Sequence, residues 1–457
     1  MLLQRLGVMQ KPRTTESAEP ISADQFLRTI LRSGVMDRDQ LQAALRDAGP
    51  EQRQDAEALA NHLVTSGKLS RFQAGKLVQG MSVGLVLGPF QVLAPIGKGG
   101  MSTVYLARDV RSHLLVALKV LPPKRAREEE RVLTRFRREM EMCQRVAHPH
   151  LAWAYEVGVC QGVYYIAMEY IPGRSLYRLV NDEGPLQVSR AARLFAEVAS
   201  ALEHAHNQGL IHRDMKPSNI IITPHDHAKV LDLGLALVEG EAPGALEVVG
   251  GRGYVVGTLD YIAPEQAENP TAVDPRSDIY SLGCTLYFAL TGQPPFPGGT
   301  ALEKIQRHRS EEPVAIPQLN PNVPPGFIGL VRKMMSRNPE QRFANAAEIE
   351  EKLRPWASEE SVLPLDRQGD REYQEAVAAL ESEEAPPELI EEVIPVGIPV
   401  SDKRGRRRAQ AAPLTNGVKS PLAPPVPVWA HPLVLLGFGA GLLLLLIIVG
   451  LIARLMR

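Results

Sequence analysis

The chain has 457 residues, 44% of them hydrophobic, and carries 51 Lys and Arg against 52 Asp and Glu. That length has room for about three domains at roughly 150 residues each, with ample apolar content for a large core. The balanced charge excludes a general electrostatic case for nucleic-acid binding. Three widely spaced cysteines, Cys143, Cys160 and Cys284, form no C-x-x-C pair, so neither a disulfide framework nor a zinc site is expected, and a reducing compartment fits.

Residues 1–20 have no apolar run long enough for a signal peptide and are expected to be disordered. Residues 21–82 are predicted helical. Ser22-x-x-Gln25 and Ser70-x-x-Gln73 are capping-box signals, in which a hydroxyl and an amide three residues on satisfy each other's backbone donors. The stretch also repeats loosely at an offset of 33 residues. FLRTILRSGVMDRDQLQAAL aligns with LANHLVTSGKLSRFQAGKL, so that Ser33-Gly34 falls on Ser66-Gly67 and Gln40 on Gln73. Two readings stand: helical hairpins alike by composition, or a duplicated bundle that binds a partner or the rest of the chain. Two copies are too few for a solenoid.

Residues 90–356 begin with strand patterns and a Gly-rich turn and become mainly helical. The turn IGKGGMSTVY contains Ile96, Gly97, Gly99, Gly100, Ser102 and Val104. Glycines let a backbone approach phosphates without Cβ obstruction. Ser102 stands where the third glycine of G-x-G-x-x-G would be. Next comes Val116-Ala117-Leu118-Lys119. A lysine flanked by apolar residues needs an anionic partner, such as phosphates or a carboxylate. Glu139, on a helical pattern, is the first carboxylate candidate and Glu141 the second.

The most specific feature is His212-Arg213-Asp214-Met215-Lys216-Pro217-Ser218-Asn219. Asp214 can accept the proton of an incoming hydroxyl. Lys216 can stabilise charge on a transferring phosphoryl group, and Asn219 can ligate Mg²⁺ through its carbonyl oxygen. Eighteen residues after Asp214 lies Asp232-Leu233-Gly234, where a carboxylate can bind Mg²⁺ bridging phosphates.

Together these motifs resemble a eukaryotic-type protein kinase catalytic domain over about 265 residues. The resemblance implies an α+β, bilobal protein kinase fold with a β-rich N-lobe and a helical C-lobe. It implies ATP and Mg²⁺, with Asp214 as base, Lys119 paired with Glu139, and Asn219 and Asp232 on the metal. Met168-Glu169-Tyr170-Ile171 resembles the gatekeeper and hinge, whose backbone would pair with adenine. The pocket would be lined by Ile96, Val104, Ala117 and Ile221. Ala263-Pro264-Glu265 resembles the A-P-E element. Asp278 resembles the aspartate that supports the catalytic loop, and Arg342 the arginine that pairs with Glu265. Lys216-Pro217 and Gly257-Thr258-Leu259-Asp260-Tyr261 match the serine/threonine rather than the tyrosine class, so protein Ser/Thr hydroxyls are the implied acceptors. GKGGMSTVY and RFRREM are most similar to bacterial kinases of this type, and KLSRFQAGKLVQG and LVLGPF to planctomycete ones. The alternative is a pseudokinase acting as a membrane scaffold through the N-terminal helices. Such a protein ordinarily lacks one of Lys119, Glu139, Asp214, Asn219 and Asp232, and only Ser102 departs from the pattern.

Between Leu235 and Gly257 there is no serine or threonine, and Tyr254 carries the only hydroxyl. Activity is therefore expected not to require a phosphate there, with Glu239, Glu241 or Glu247 facing Arg213 instead; the alternative is modification of Thr258. A required phosphate in that stretch, found by mass spectrometry of active protein, would overturn this expectation.

Residues 357–428 are expected to be a disordered linker. From Glu359 to Asp402 there are 13 acidic and 2 basic residues, and then Lys403 to Arg408 reverses the sign. Pro432 to Ala453 is a run of 22 residues without a charge. At about 1.5 Å per residue it is long enough to span a hydrocarbon core of roughly 30 Å. A single transmembrane helix over 432–453 is expected, with the ATP-using domain on the cytoplasmic side and lipid as its partner. Only four residues come after it, the pattern of a tail anchor, and Gly437-x-x-x-Gly441 would let two anchors pair in a homodimer.

Overall fold

A computed structural model describes residues 21–98, 102–123, 126, 130–142, 145–231, 237–238, 256–269 and 273–357. The expected N-terminal tail 1–20, the linker beyond Ala357 and the apolar run 432–453 lie outside the described residues. The chain divides into two units, Met1–Ile398 and Pro399–Arg457, and every described residue belongs to the first.

Four helices come first: α1 (Ala23–Ser33), α2 (Arg38–Asp47), α3 (Ala56–Thr65) and α4 (Arg71–Val78). Their N-caps are Ser22, Asp37, Asp55 and Ser70. The caps of α1 and α3, and those of α2 and α4, stand 33 residues apart. Asp37–Gln40 and Ser70–Gln73 form full capping boxes, whereas Ser22 only accepts from the Gln25 N–H. Phe26, Ile30, Leu59, Leu63 and Leu77 are completely buried in one shared core, so the two hairpins form a single bundle.

The next element is a sheet built from β1 (Val86–Leu87), β2 (Phe90–Lys98), β3 (Thr103–Asp109), β4 (Leu115–Leu121), β5 (Ala154–Cys160) and β6 (Val163–Glu169). Its strand order is β1-β2-β3-β4-β6-β5, antiparallel throughout. Successive side chains of a strand point to opposite faces. Val116, Leu118 and Val120 therefore pack on the outer face with Phe90, Val92 and Tyr105. Leu121 and Ile166 pack on the inner face against Phe136 of α5 (Glu130–Met142). Phe72 of α4 joins the outer-face cluster, so the helical bundle covers that face of the sheet.

The second lobe begins with β7 (Arg174–Ser175), α6 (Leu176–Glu183), α7 (Val188–Asn207) and β8 (Leu210–Ile211). The pairs β7–β9 and β9–β10 form a small sheet with β9 (Ile220–Ile222) and β10 (Ala228–Val230), and β8 pairs with β11 (Leu237–Val238). Helices α8 (Pro264–Glu268), α9 (Pro275–Thr291), α10 (Ala301–Ser310), α11 (Ile316–Leu319), α12 (Pro325–Met334) and α13 (Ala346–Leu353) complete it. Helix α9 is buried nearly all round, from Ser277 to Leu290, as expected of the central rod of a helical core. At the end of the lobe Trp356 packs edge-on against Phe327 of α12.

Among the described residues no helix is long and apolar enough to cross a membrane. Cys160 and Cys284 are free thiols, and burial pushes the Cys284 thiol well up. Cys143 lies outside the described residues.

Candidate active site

The residues singled out in the octapeptide converge in the loop between β8 and β9. Lys216 Nζ lies 2.6 Å from Asp214 Oδ2. Asn219 donates from Nδ2 to the Asp214 carbonyl at 2.8 Å and to Asp214 Oδ2 at 3.2 Å. A short 3₁₀ turn over Pro217–Asn219, with Pro217 fixing its first φ, bends the chain back to allow this. Arg213 has φ 65°, a left-handed backbone that costs a non-glycine residue on the order of 1–2 kcal/mol. Such a conformation persists only where its surroundings hold it.

Asp278, in the first turn of α9, is what holds it. The side chain is completely buried. Its Oδ2 accepts from the His212 N–H and its Oδ1 from the Arg213 N–H, each at 2.8 Å. His206 Nε2 lies 2.8 Å from the same Oδ2. Burial works against charge on this carboxylate, but the His206 contact, the nearby His212 and the Arg213 N–H outweigh it and hold the carboxyl below its usual range. The His212 ring then reaches the Leu231 carbonyl at 3.0 Å, and Leu231 N–H donates to the Asn219 carbonyl at 2.8 Å.

An ion pair fixes the segment beyond. Arg342 grips Glu265 through two parallel contacts, Nη1–Oε1 at 2.6 Å and Nη2–Oε2 at 2.8 Å, with its guanidinium fully buried. This two-pronged geometry suits arginine and not lysine. Ser277 donates to Glu265 as well, and Gln266 donates to the Arg213 carbonyl at 2.9 Å. Helix α8 is thereby tied both to α9 and to the loop between β8 and β9.

On the sheet side, Lys119 is 6% exposed. It pairs directly with Val104 on β3 and with Ile166 on β6. Ile166 belongs to the inner face, so Lys119 shares that face, as does Ala117 two residues earlier. Gly97 lies in β2 opposite Val104, Glu169 closes β6, and Ile221 lies in the middle of β9. Ser102 is buried. Glu139 sits on the backbone of α5 and Thr258 in the 3₁₀ turn Val256–Tyr261, but their side chains lie outside the described residues. So do Gly99, Gly100 and Asp232.

The loop has the chemistry of a hard-cation site in part. Asn219 uses its amide nitrogen to hold Asp214, which leaves its amide oxygen as the atom to offer a cation. Among the described residues no group of three or more His, Cys, Asp or Glu could hold a metal, and the second expected ligand, Asp232, falls outside them.

Three supporting contacts were not visible in the sequence. His206 meets Asp278 across 72 positions. Lys229 of β10 pairs with the Glu169 carboxylate, which also accepts from the Trp153 N–H at 3.3 Å. Lys304 of α10 pairs with Asp260 in the turn after Thr258. None has a local spacing signal, because each joins elements that only the fold brings together.

Two histidines make stability depend on pH. Burial, aided by His150 and His204, pushes His148 down to about 4 from 6.5. Burial likewise brings His308 down to about 4, against the backbone of Asp260 and Leu259, which favours the protonated ring. The unfolded chain takes up these protons as pH falls through 6.5, while the folded chain resists until about 4. Their contribution is therefore complete above pH 6.5 and is lost progressively toward pH 4. Urea unfolding at pH 7.5 and pH 5 should differ by about 2 kcal/mol in favour of the higher pH, a value discounted for the partial exposure of His148. Equal stability at the two values would contradict this.

A model of the protein kinase domain matches residues 90–353. The serine/threonine-protein kinase PknB of Mycolicibacterium smegmatis is 40% identical over 258 residues, 56% of this chain and 40% of that protein. PknB of Mycobacterium tuberculosis is 39% identical over 258 residues, with the same coverage. PknD of Mycobacterium tuberculosis is 36% identical over 268 residues, 58% of this chain and 39% of that protein. The chain thus spans about two fifths of the length of the curated relatives it matches.

Proposed function

This chain belongs to the protein kinase family, and on that basis we propose that it transfers the γ-phosphoryl group of ATP, with Mg²⁺, to serine and threonine hydroxyls of protein substrates. The observation that carries this reading is the convergence of Asp214, Lys216 and Asn219 within 3.2 Å on a loop hung from a buried carboxylate. Asp214 orients the acceptor hydroxyl and takes its proton. Lys216 sits beside that carboxylate, where negative charge develops during transfer. Bound Mg²⁺ would neutralise phosphate charge, held by Asn219 and Asp232. Lys119 engages the phosphates, with Glu139 as its carboxylate partner. Adenine packs among Ile96, Val104, Ala117 and Ile221 and pairs with the backbone of Glu169 and Ile171. Lys216-Pro217 and the turn containing Thr258 favour serine and threonine over tyrosine.

The test is direct. The full chain is incubated with Mg²⁺, a generic protein acceptor and ATP radiolabelled at the γ-phosphate, and the labelled amino acids are separated. Phosphoserine and phosphothreonine are expected. No transfer, or transfer to tyrosine alone, would overturn the reading.

We further read residues 432–453 as a membrane anchor that keeps the kinase domain at the cytoplasmic face. The support is its 22 uncharged residues. Recovery of the full chain in the soluble fraction of its native cells, without detergent, would refute the anchor.

A further inference from the structure

The N-terminal bundle has no part in the chemistry proposed above, yet it is joined to the nucleotide lobe by specific polar contacts. The joint lies at an irregularity in β2. The register of β2 against β3 shifts between Val92 and Ala94, leaving Leu93 without a partner across the ladder. A bulge of this kind frees backbone groups and bends its strand. Both carbonyls at the bulge are taken by the start of α4. Ser70 Oγ donates to the Leu93 carbonyl, and Gln73 Nε2 donates to the Val92 carbonyl at 2.8 Å.

These are the same two side chains that cap α4. Ser70 Oγ also accepts from the Gln73 N–H at 3.1 Å, and Gln73 Oε1 accepts from the Ser70 N–H at 2.9 Å. Ser70 and Gln73 are 7% and 2% exposed, so water cannot readily replace either contact. Phe72 between them lies 6.5 Å from the Tyr105 ring on β3. One residue before the bulge, Gln91 Nε2 donates to the Val35 carbonyl of the bundle at 3.0 Å. The capping box thus does two things: it starts a helix and it holds the bend of a strand.

The bend matters because the strand continues from it, through a second register shift between Pro95 and Gly97, into the Gly-rich turn. Val92 faces the outer cluster that Phe72 joins, whereas Leu93 and Ala94 belong to an inner cluster with Leu106 and Tyr170, against which Ile96 packs. The bulge is the point at which β2 switches its apolar residues from the bundle to the inner side. Three residues later come Ile96 and Gly97, the first residues of that turn.

We propose that Ser70 and Gln73 are positioning residues for ATP, through which the N-terminal bundle sets the bend of β2 and so the placement of Ile96 and Gly97. This inference rests on the nucleotide site proposed above. The bundle is then a working part of the kinase unit, and anything that binds or displaces it alters nucleotide affinity.

The experiment uses the full chain and its Ser70→Ala, Gln73→Ala and Ser70→Thr variants. Nucleotide affinity is read from binding of a fluorescent ATP analogue, and KM for ATP is separated from kcat in the transfer assay. Ser70→Ala and Gln73→Ala should each weaken nucleotide binding and raise KM for ATP about three- to tenfold, the range that loss of one buried hydrogen bond supplies. Their kcat should stay within about twofold of the parent. Ser70→Thr keeps the hydroxyl and should restore the parent affinity. If both alanine variants melt at lower temperature but bind nucleotide like the parent, the contacts only stabilise the fold and the proposal is wrong. Because binding is measured without turnover, nucleotide binding by a parent chain that transfers no phosphate would count against the kinase reading alone.

Discussion

Asp214→Asn is expected to lower kcat about 10²- to 10⁴-fold, the usual contribution of a positioned general base, while KM for ATP and the melting temperature change little. Asparagine has the same shape as aspartate. It leaves untouched the backbone carbonyl of residue 214, to which Asn219 donates at 2.8 Å, so the loop should keep its form. What is lost is the acceptor for the hydroxyl proton and the carboxylate beside Lys216. Steady-state kinetics with a protein acceptor, together with nucleotide binding and a thermal melt, separate these effects. Transfer by Asp214→Asn within tenfold of the parent would remove Asp214 from the chemistry. A large fall in melting temperature would instead show that its role is structural.

Asp278→Ala should produce the largest loss of stability. The carboxylate is completely buried and accepts two backbone N–H groups and the His206 ring. Removing it takes the acceptor from the buried N–H of His212, worth about 1–3 kcal/mol, and from the partly buried N–H of Arg213, worth less. It also takes from the left-handed backbone of Arg213 one of the contacts that hold it. Breaking a buried ionic group of this kind typically costs about 3–5 kcal/mol. For a domain of this size that corresponds to a fall in melting temperature of roughly 10 °C. The variant should also transfer no phosphate at temperatures where it remains folded, because Asp214 comes directly after the two residues that Asp278 holds. A variant that melts like the parent, or one that is stable and active, would show that the loop is held by other contacts.

The two substitutions lie on different links of one chain of cause. On the proposed mechanism Asp214 acts on the reacting atoms, and its removal should leave the scaffold standing. Asp278 accepts from the backbone of His212 and Arg213, and its removal should take away the geometry in which Asp214 would work. Calorimetry and kinetics on both variants together distinguish a catalytic group from the group that positions it.

Much of this protein is legible in one dimension because its signals are local. Ser22 and Ser70 mark the starts of α1 and α4, since a short polar side chain satisfies backbone donors within three residues of itself; in the structure Asp37 and Asp55 cap α2 and α3 by the same means. The short, nearly continuous apolar run around Lys119, from Leu115 to Leu121, is that of a strand buried on both faces. Asp214, Lys216 and Asn219 are close in space because they are close in sequence, joined by a turn that Pro217 favours. Only the tertiary structure decides the rest. It brings His206 to Asp278, Lys229 to Glu169 and Lys304 to Asp260. It also gives the second use of Ser70 and Gln73, whose capping role is evident locally but whose grip on Leu93 and Val92 spans some twenty positions. Pairings of that kind depend on how hydrophobic faces pack, and packing joins side chains whose separation along the chain carries no periodic signal.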